Sequence, residues 1–313
     1  MGKLRTGFMG TPDFAVPGLD MLILEGYPVA AVITQPDRPK GRGQKLAYSP
    51  VKEAALAYNL PVLQPASIKT DDSYNQIAAL NPDIIIVVAF GQLLPKKLLE
   101  LPAYGCINVH ASLLPKYRGS APIHWAIING ETTTGITTMY MDVGMDTGDM
   151  IAKAEIPILP TDTTGSLHDK LKDLGADVLS DTLRQLAANS APREVQQEFE
   201  ATYARMLCRT TERIDWHLPA TAIHNLVRGL NPWPGAYCTY QNKSLKIWQT
   251  RVHDASHSCS IPGQIIQITK TGLVVETGKG TIELLEVQPE SKRRMKASDC
   301  VCGYCLTVGN LLE

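Results

Sequence analysis

Between Asp83 and Phe90 the chain reads Ile84-Ile85-Ile86-Val87-Val88-Ala89, with no polar side chain to mark an outward face. Such a strand must be covered on both sides, the condition of a central strand in a parallel sheet sandwiched by helices. The opening of the chain supplies neighbours for it. Leu4 to Gly10 reads as a short strand, Phe14 to Glu25 as a helix stopped by Gly26, and Val29 to Thr34 as a second apolar strand. Strand, helix, strand in that order predicts an α/β fold with an open, mostly parallel sheet. After the first strand comes Gly10-Thr11-Pro12-Asp13, without the G-x-G-x-x-G of a dinucleotide site, which counts against an oxidoreductase.

Helices are expected over Pro50 to Tyr58, Ser73 to Leu80 and Pro122 to Asn129, and strands over Cys106 to His110 and Thr134 to Met141. Ile151 to Ile156 would return beside the last of these after a turn at Asp142 to Gly148. A long helix begins at Thr163 or Thr164, and Leu167, Leu171, Leu174, Val178, Leu183 and Leu186 recur along it at core-facing spacing. The polar stretch Ala187 to Gln197 reads as a linker. A helix over His217 to Gly229 is broken by Asn231-Pro232-Trp233-Pro234-Gly235. Five short strands follow, Ala236 to Tyr240, Leu245 to Thr250, Gly263 to Thr269, Leu273 to Thr277 and Gly280 to Val287, and suggest a small barrel. The expected division is residues 1–189, a linker at 190–206, and a second domain at 207–313.

Residues 207–313 hold 12 Lys plus Arg against 9 Asp plus Glu, and the remainder 18 against 22. The second domain is therefore modestly basic, which permits contact with nucleic acid without requiring it. Pro36 to Ser49 concentrates Arg38, Lys40, Arg42 and Lys45 against Asp37 alone, among Pro and Gly. It reads as a basic loop without regular structure, either plain surface or a phosphate contact. No 18-residue apolar run is present, and the chain enters a strand pattern almost at once, so no membrane span or signal peptide is expected. Seven scattered cysteines then read as reduced thiols of a cytoplasmic protein. Cys300, Cys302 and Cys305 form one partial metal-ligand half, with Cys259 or His257 as a fourth; small apolar thiols on a final helix are the expectation, and no metal.

Chemistry concentrates between Ile107 and Asp149. Asn108 and His110, two apart on a strand, share a face and can aim two donors at one oxygen, as a carbonyl becoming an oxyanion needs. Asp146, in the glycine-rich turn Val143 to Gly148, can reach His110, orient the ring and accept a proton. No G-x-S-x-G elbow and no cysteine near His110 point to a covalent nucleophile, so direct attack on an acyl carbon is favoured. The same residues would also serve as structural hydrogen-bonding groups, or His110 and Asp146 as metal ligands, although no third ligand stands at a familiar spacing. Gly91, past the central strand, would let a planar ligand approach the backbone.

The blocks FMGTPDFAVPGL (Phe8 to Leu19), QPDRPKGRGQKL (Gln35 to Leu46), VVAFGQLLP (Val87 to Pro95), INVHASLLPKYRGSAPIHWAIINGE (Ile107 to Glu131), MDVGMDTGD (Met141 to Asp149) and NPWPGAY (Asn231 to Tyr237) resemble the folate-dependent formyltransferase family, and within it the members that act on methionyl-tRNA. The resemblance implies a Rossmann-like first domain with helices on both sheet faces and a C-terminal OB-like β-barrel that holds the tRNA flank. It implies 10-formyltetrahydrofolate as donor, against Phe90, Gly91, Gln92, Leu93, Ser112, Leu113, Leu114, Pro115, Asp142, Val143 and Gly144. The acceptor would be initiator methionyl-tRNA, met by Arg38, Lys40, Arg42, Lys45 and Arg118, although Arg118 could instead brace the active loop. Asn108 and His110 would stabilise the formyl oxygen and Asp146 would organise His110 and proton transfer, in a protein expected to be a monomer. Two other readings stay open: a formyltransferase for a small amine such as an amino-sugar nucleotide, and a non-catalytic nucleic-acid-binding module.

Overall fold

The computed structural model describes residues 2–40, 45–257, 260–304 and 306–313. The apolar run becomes the strand Ile84–Val88, buried throughout. It stands at the middle of a seven-stranded sheet in the order Met150–Pro157, Thr133–Tyr140, Cys106–His110, Ile84–Val88, Thr6–Gly10, Val29–Ile33, Val62–Leu63. Pairing is parallel from Cys106–His110 across to Val62–Leu63. It turns antiparallel between Cys106–His110 and Thr133–Tyr140, so the sheet is mixed.

Alternation along the central strands serves two helical layers. Met9, Ile85 and Val87 belong to one core with Ile77 of the helix Asp71–Ala79 and Leu98 of the helix Lys96–Leu99. On the other face Gly18, of the helix Val16–Leu24, lies against Phe8 and Leu179, and Gly175 lies against Val109. Gly175 and Leu179 sit on the long helix Thr164–Ala187, whose Leu167, Leu171, Val178, Leu183 and Leu186 are buried, as the leucine spacing predicted, whereas Leu174, expected with them, is half-buried.

Two compact units result, and neither is continuous in sequence. Met1–Gly119, Thr134–Ile156 and His168–Ala204 form one; Ser120–Thr133, Pro157–Leu167 and Arg205–Glu313 form the other. Packing explains why 120–133 groups with later residues. Ile128 packs on the second unit's core. Gly229, on the helix Ala220–Gly229, meets it so closely that a Cβ there would stand 2.6 Å from Ile128 Cγ1.

The second unit's sheet runs Ala236–Tyr240, Lys243–Asp254, Thr281–Pro289, Leu273–Glu276, Ile265–Ile268, with Met295–Lys296 added to Thr281–Pro289. All these pairs are antiparallel. Lys243–Asp254 is longer than the expected Leu245 to Thr250, and its register shifts between Ile247 and Gln249, Gln249 and Thr250, and Val252 and Asp254. Such bulges bend a strand and raise its twist, which lets one strand serve two stretches of a curved sheet. Leu245, Ile247, Leu273, Val275, Ile282, Leu284 and Val287 fill its core.

Two readings of the sequence change. Pro36 to Ser49 is not devoid of regular structure: Arg38–Lys40 and Lys45–Ala47 pair antiparallel. Its base is fastened, because Lys52 Nζ reaches Asp37 Oδ2 at 2.6 Å and Gln64 Nε2 donates to Asp37 Oδ1 at 2.8 Å. Tied ends lower the entropic cost of closing the ladder. Arg42 and the side chains of Lys40 and Lys45 lie outside the described residues. Next, the stretch read as a linker is laced to the first unit. Met150 and Glu194 exchange two backbone hydrogen bonds, of 2.9 and 3.0 Å, and Tyr203–Ala204 pairs with Arg118–Gly119. Cys300 keeps its expected place: it lies on the final helix Ala297–Tyr304, buried, its thiol pushed up to about 11 by that burial. Cys259, Cys305 and the side chain of Cys302 lie outside the described residues. Among the described residues no helix is long and apolar enough to cross a membrane.

Candidate active site

The strand Cys106–His110 carries two of the expected groups to its carboxyl end. Its register sets Asn108 beside Val87 and Met139, and His110 beside Thr137. Both side chains are nearly sealed, Asn108 at 9% and His110 at 6% exposure. Asp146 arrives from the turn after Thr133–Tyr140, with a φ of +55°. Left-handed backbone is uncommon outside glycine but tolerated by Asp. Asn108 Nδ2 stands 3.5 Å from Asp146 Oδ1, and His110 Nδ1 stands 3.8 Å from Asp146 Oδ2. The structure therefore brings together the three residues the sequence singled out.

One contact fixes the proton inventory of His110. Its Nε2 lies 3.0 Å from the Tyr117 carbonyl oxygen. A carbonyl only accepts, so Nε2 carries the hydrogen. The nitrogen left to gain or lose a proton is Nδ1, the one that faces Asp146.

The turn that carries Asp146 is built from its own residues. Asp142 Oδ1 accepts from Gly144 N at 3.0 Å and Thr147 Oγ1 at 2.7 Å. Gly148 permits a close return: a Cβ there would fall 1.8 Å from the Tyr140 carbonyl oxygen. Asp146 Oδ2 also accepts from Gly119 N at 2.8 Å. Sequence reasoning missed that contact and missed Gln196, whose Nε2 donates to the Asp146 and Gly148 carbonyls, both at 2.8 Å. No local signal marks Gln196, since its partners lie 48 and 50 residues away.

Around this centre the expected donor residues divide by what they present. Phe90 is buried, and its carbonyl is already engaged by Thr11 Oγ1 at 3.0 Å and Gln35 Nε2 at 3.2 Å. Gln92 accepts from Ile68 N at 2.9 Å, which makes it an anchor for the turn. Gly91, at φ +88°, has open space where a Cβ would stand. Ser112 donates to the Lys116 carbonyl at 2.6 Å, and Leu114 packs with Met139 and Met150. Pro115 is buried and Leu113 half-buried, whereas Asp142 and Gly144 are exposed. Leu93, Val143 and Met145 are large apolar side chains left facing solvent. A planar aromatic donor fits residues of this kind, with apolar surface to cover and an unobstructed backbone at Gly91.

Arg38 lines a cavity of about 430 Å³ with Thr11, Gln35, Tyr48, Phe90 and Gly91. The cavity opens at the carboxyl ends of Thr6–Gly10, Val29–Ile33 and Ile84–Val88, where parallel α/β sheets bind ligands. Asn108, His110 and Asp146 do not line it. Arg118, one of the expected tRNA contacts, has its side chain 1% exposed, and its guanidinium is taken up by Gln196 Oε1 at 3.0 Å and Glu198 Oε2 at 2.8 Å. Burial opposes its charge, but hydrogen bonds to Glu198 and Tyr203 outweigh that and hold its pKa above the usual value. Of the two roles left open by the sequence, this geometry supports bracing the loop. Asp13, His168 and Asp169 approach as potential metal ligands, but Lys172 Nζ already sits 2.7 Å from Asp169 Oδ1.

Comparison with known proteins agrees with this anatomy. Residues 6–183 match the formyl transferase family model, and residues 207–305 match the model of the formyl transferase C-terminal domain. The chain belongs to the formyl transferase family. Within that family its relatives are named methionyl-tRNA formyltransferase. The protein of that name from Acetivibrio thermocellus is 52% identical over 309 residues, covering 99% of both chains. That from Clostridioides difficile is 50% identical over 309 residues, covering 99% of this chain and 100% of its own. Solved structures share the fold at lower identity. A sugar 3N-formyl transferase determined with dTDP and 5-N-formyl-THF aligns with a TM-score of 0.67 at 21% identity, over 94% of this chain and all of its own. An N-formyltransferase from Helicobacter canadensis, determined with folinic acid and dTDP-3-aminofucose, aligns at 0.66 and 18% identity, over 90% and 99%.

Proposed function

We propose that the chain transfers a formyl group from 10-formyltetrahydrofolate to the α-amino group of methionyl initiator tRNA. The observation that carries the chemistry is the convergence of Asn108 Nδ2 and His110 Nδ1 on the Asp146 carboxylate, at the end of one strand. The donor supplies an activated formyl carbon. A neutral amine attacks that carbon without help from a covalent nucleophile, forming the new C–N bond and a tetrahedral oxyanion, whose collapse restores the carbonyl and breaks the bond to the folate nitrogen. Asn108 donates from Nδ2 to the oxygen that gathers charge, and His110 donates from Nδ1 when the ring is doubly protonated. The Tyr117 carbonyl fixes the ring's orientation through Nε2. Asp146 faces Nδ1 and is placed to receive the amine proton, which is returned to the departing nitrogen.

Leu93, Val143 and Met145 are exposed apolar side chains available to the donor's ring system, and Gly91 leaves its backbone unobstructed. Arg38 and the Tyr48 ring, at one cavity, suit a phosphate and a base of the acceptor's end. The second unit is read as an OB-type barrel holding the tRNA flank. Support comes from the bulged Lys243–Asp254 strand and from the excess of basic residues after 207. With a charged tRNA as acceptor, the reading carries a cytoplasmic place of action and a monomeric working chain. Incubation with charged initiator tRNA and formylated folate should yield N-formylmethionine on the tRNA. Formylation of an amino-sugar nucleotide instead, or binding of tRNA without transfer, would overturn the assignment.

A further inference from the structure

We propose that Gln196, together with Arg118, is a positioning residue for Asp146, so that the stretch after the long helix is part of the catalytic apparatus. The inference rests on the reading of Asp146 given above. Gln196 is 7% exposed, and each of its polar atoms is occupied. Nε2 donates to the carbonyls of Asp146 and Gly148, 2.8 Å each, and Oε1 accepts from Arg118 Nε at 3.0 Å. Arg118 in turn is followed by Gly119, whose N–H donates to Asp146 Oδ2 at 2.8 Å. The path from Asp146 through Gln196, Arg118 and Gly119 back to Asp146 is a closed ring that holds the residue by its backbone at one end and its carboxylate at the other.

Each side of the ring has its own fastening. Arg118 N donates to Thr202 O at 2.8 Å, Tyr117 N to Thr202 Oγ1 at 2.9 Å, and Glu198 takes the free arm of the guanidinium. Glu194, two residues before Gln196, is laddered to Met150. Asp146 also sits at a φ of +55°, a left-handed conformation that Asp tolerates but that is less common than the right-handed one, so fixed partners help to hold it there. The carboxylate must also stay within reach of both Asn108 and His110, and sub-ångström placement of a reacting group governs rate.

The experiment is a kinetic cycle with Gln196→Leu, Gln196→Glu and Asp146→Ala, in the full chain with charged initiator tRNA and formylated folate. Gln196→Leu should lower kcat roughly ten- to hundredfold, with KM for both substrates changed less than about threefold. Gln196→Glu keeps an acceptor for Arg118 but turns a carboxylate toward two carbonyl oxygens, so it should lose at least as much. In the Asp146→Ala background, Gln196→Leu should cost no more than about twofold further, since its effect passes through a carboxylate already gone. Normal kcat in the Gln196 variants, or an equal fold-loss with and without Asp146, overturns the proposal. Should Gln196→Leu fail to fold, the Gln196→Glu arm decides by the same criteria. Normal turnover in Asp146→Ala alone would instead overturn the reading of the carboxylate, leaving the two failures distinct.

Discussion

Replacing Asn108 by alanine separates chemistry from folding more cleanly than any other change at this site. Among the described residues its side chain meets Asp146 Oδ1 alone, at 3.5 Å, the outer limit of a hydrogen bond. Its strand keeps its backbone pairing with Ile84–Val88 and Thr133–Tyr140 whatever the side chain. Loss of one weak contact should cost about 1 kcal/mol of stability at most, against a total on the order of 5–15 kcal/mol. The variant should therefore stay folded. Loss of a donor to the transition-state oxygen is a different quantity, about 3 kcal/mol. At about 1.36 kcal/mol per factor of ten, that is roughly a hundredfold in turnover. The assay is single-turnover transfer at saturating donor and charged tRNA, with donor affinity measured separately by calorimetry. The expected result is a slow transfer step with donor affinity within about twofold of the parent. Transfer within about threefold of the parent, or a loss of donor affinity that accounts for the slowing, would refute the role given to the amide.

Gly119→Ala should weaken both fold and catalysis. The residue sits at φ +118°, where a Cβ would stand 2.7 Å from the Ala204 carbonyl oxygen; about 1–3 kcal/mol should be lost, seen in the urea midpoint together with turnover, and no change in either would show the strand pair to be unimportant. His224 is held neutral: burial first, then the Arg228 charge, lowers its pKa below the ordinary value, while its Nδ1 meets Thr250 Oγ1 at 2.9 Å. The unfolded chain then binds a proton that the fold refuses, so stability falls as pH drops below about 6.5 and continues to fall until the depressed folded pKa is reached. His224→Gln should flatten the melting-temperature profile in that window, and an unchanged acid slope would show that the ring does not contribute. Exposed Cys208 has its thiol brought down to about 7 by the hydroxyls of Thr210 and Thr211, whereas burial pushes Cys106 and Cys238 up to about 12. Alkylation at neutral pH followed by peptide mapping should therefore find Cys208 modified ahead of those two, and the reverse order would contradict their assigned environments.

What could be read from the sequence was what local chemistry encodes. The strand Cys106–His110 was legible to the residue, because its apolar run ends in an amide and an imidazole before a turn. The helix Thr164–Ala187 declared itself through leucine spacing, and the glycines around Asp146 announced a tight turn. Illegible were the features made by distant partners. Arg118 meets Gln196 and Glu198 across 78 and 80 residues, and nothing in a polar, proline-containing stretch distinguishes such an anchor from a tether. The hairpin Arg38–Lys40 with Lys45–Ala47 was hidden for a related reason. Its composition is that of a loop, and the anchoring of its base comes from Lys52 and Gln64, outside the stretch. The grouping of Ser120–Thr133 with the later residues comes from the packing of the helix Pro122–Ile128 on the helix Ala220–Gly229, Gly229 against Ile128 included, and no periodicity reports it.

The lacing of residues 194–204 onto the first unit bears on where such an enzyme can be cut. A protease nick or engineered stop just beyond the long helix would spare Asn108, His110 and Asp146. It would still leave the aspartate without the amide that grips its backbone and the guanidinium without its glutamate. The shortest excerpt retaining those fastenings runs through Ala204, about a dozen and a half residues past the point where the helix would suggest trimming.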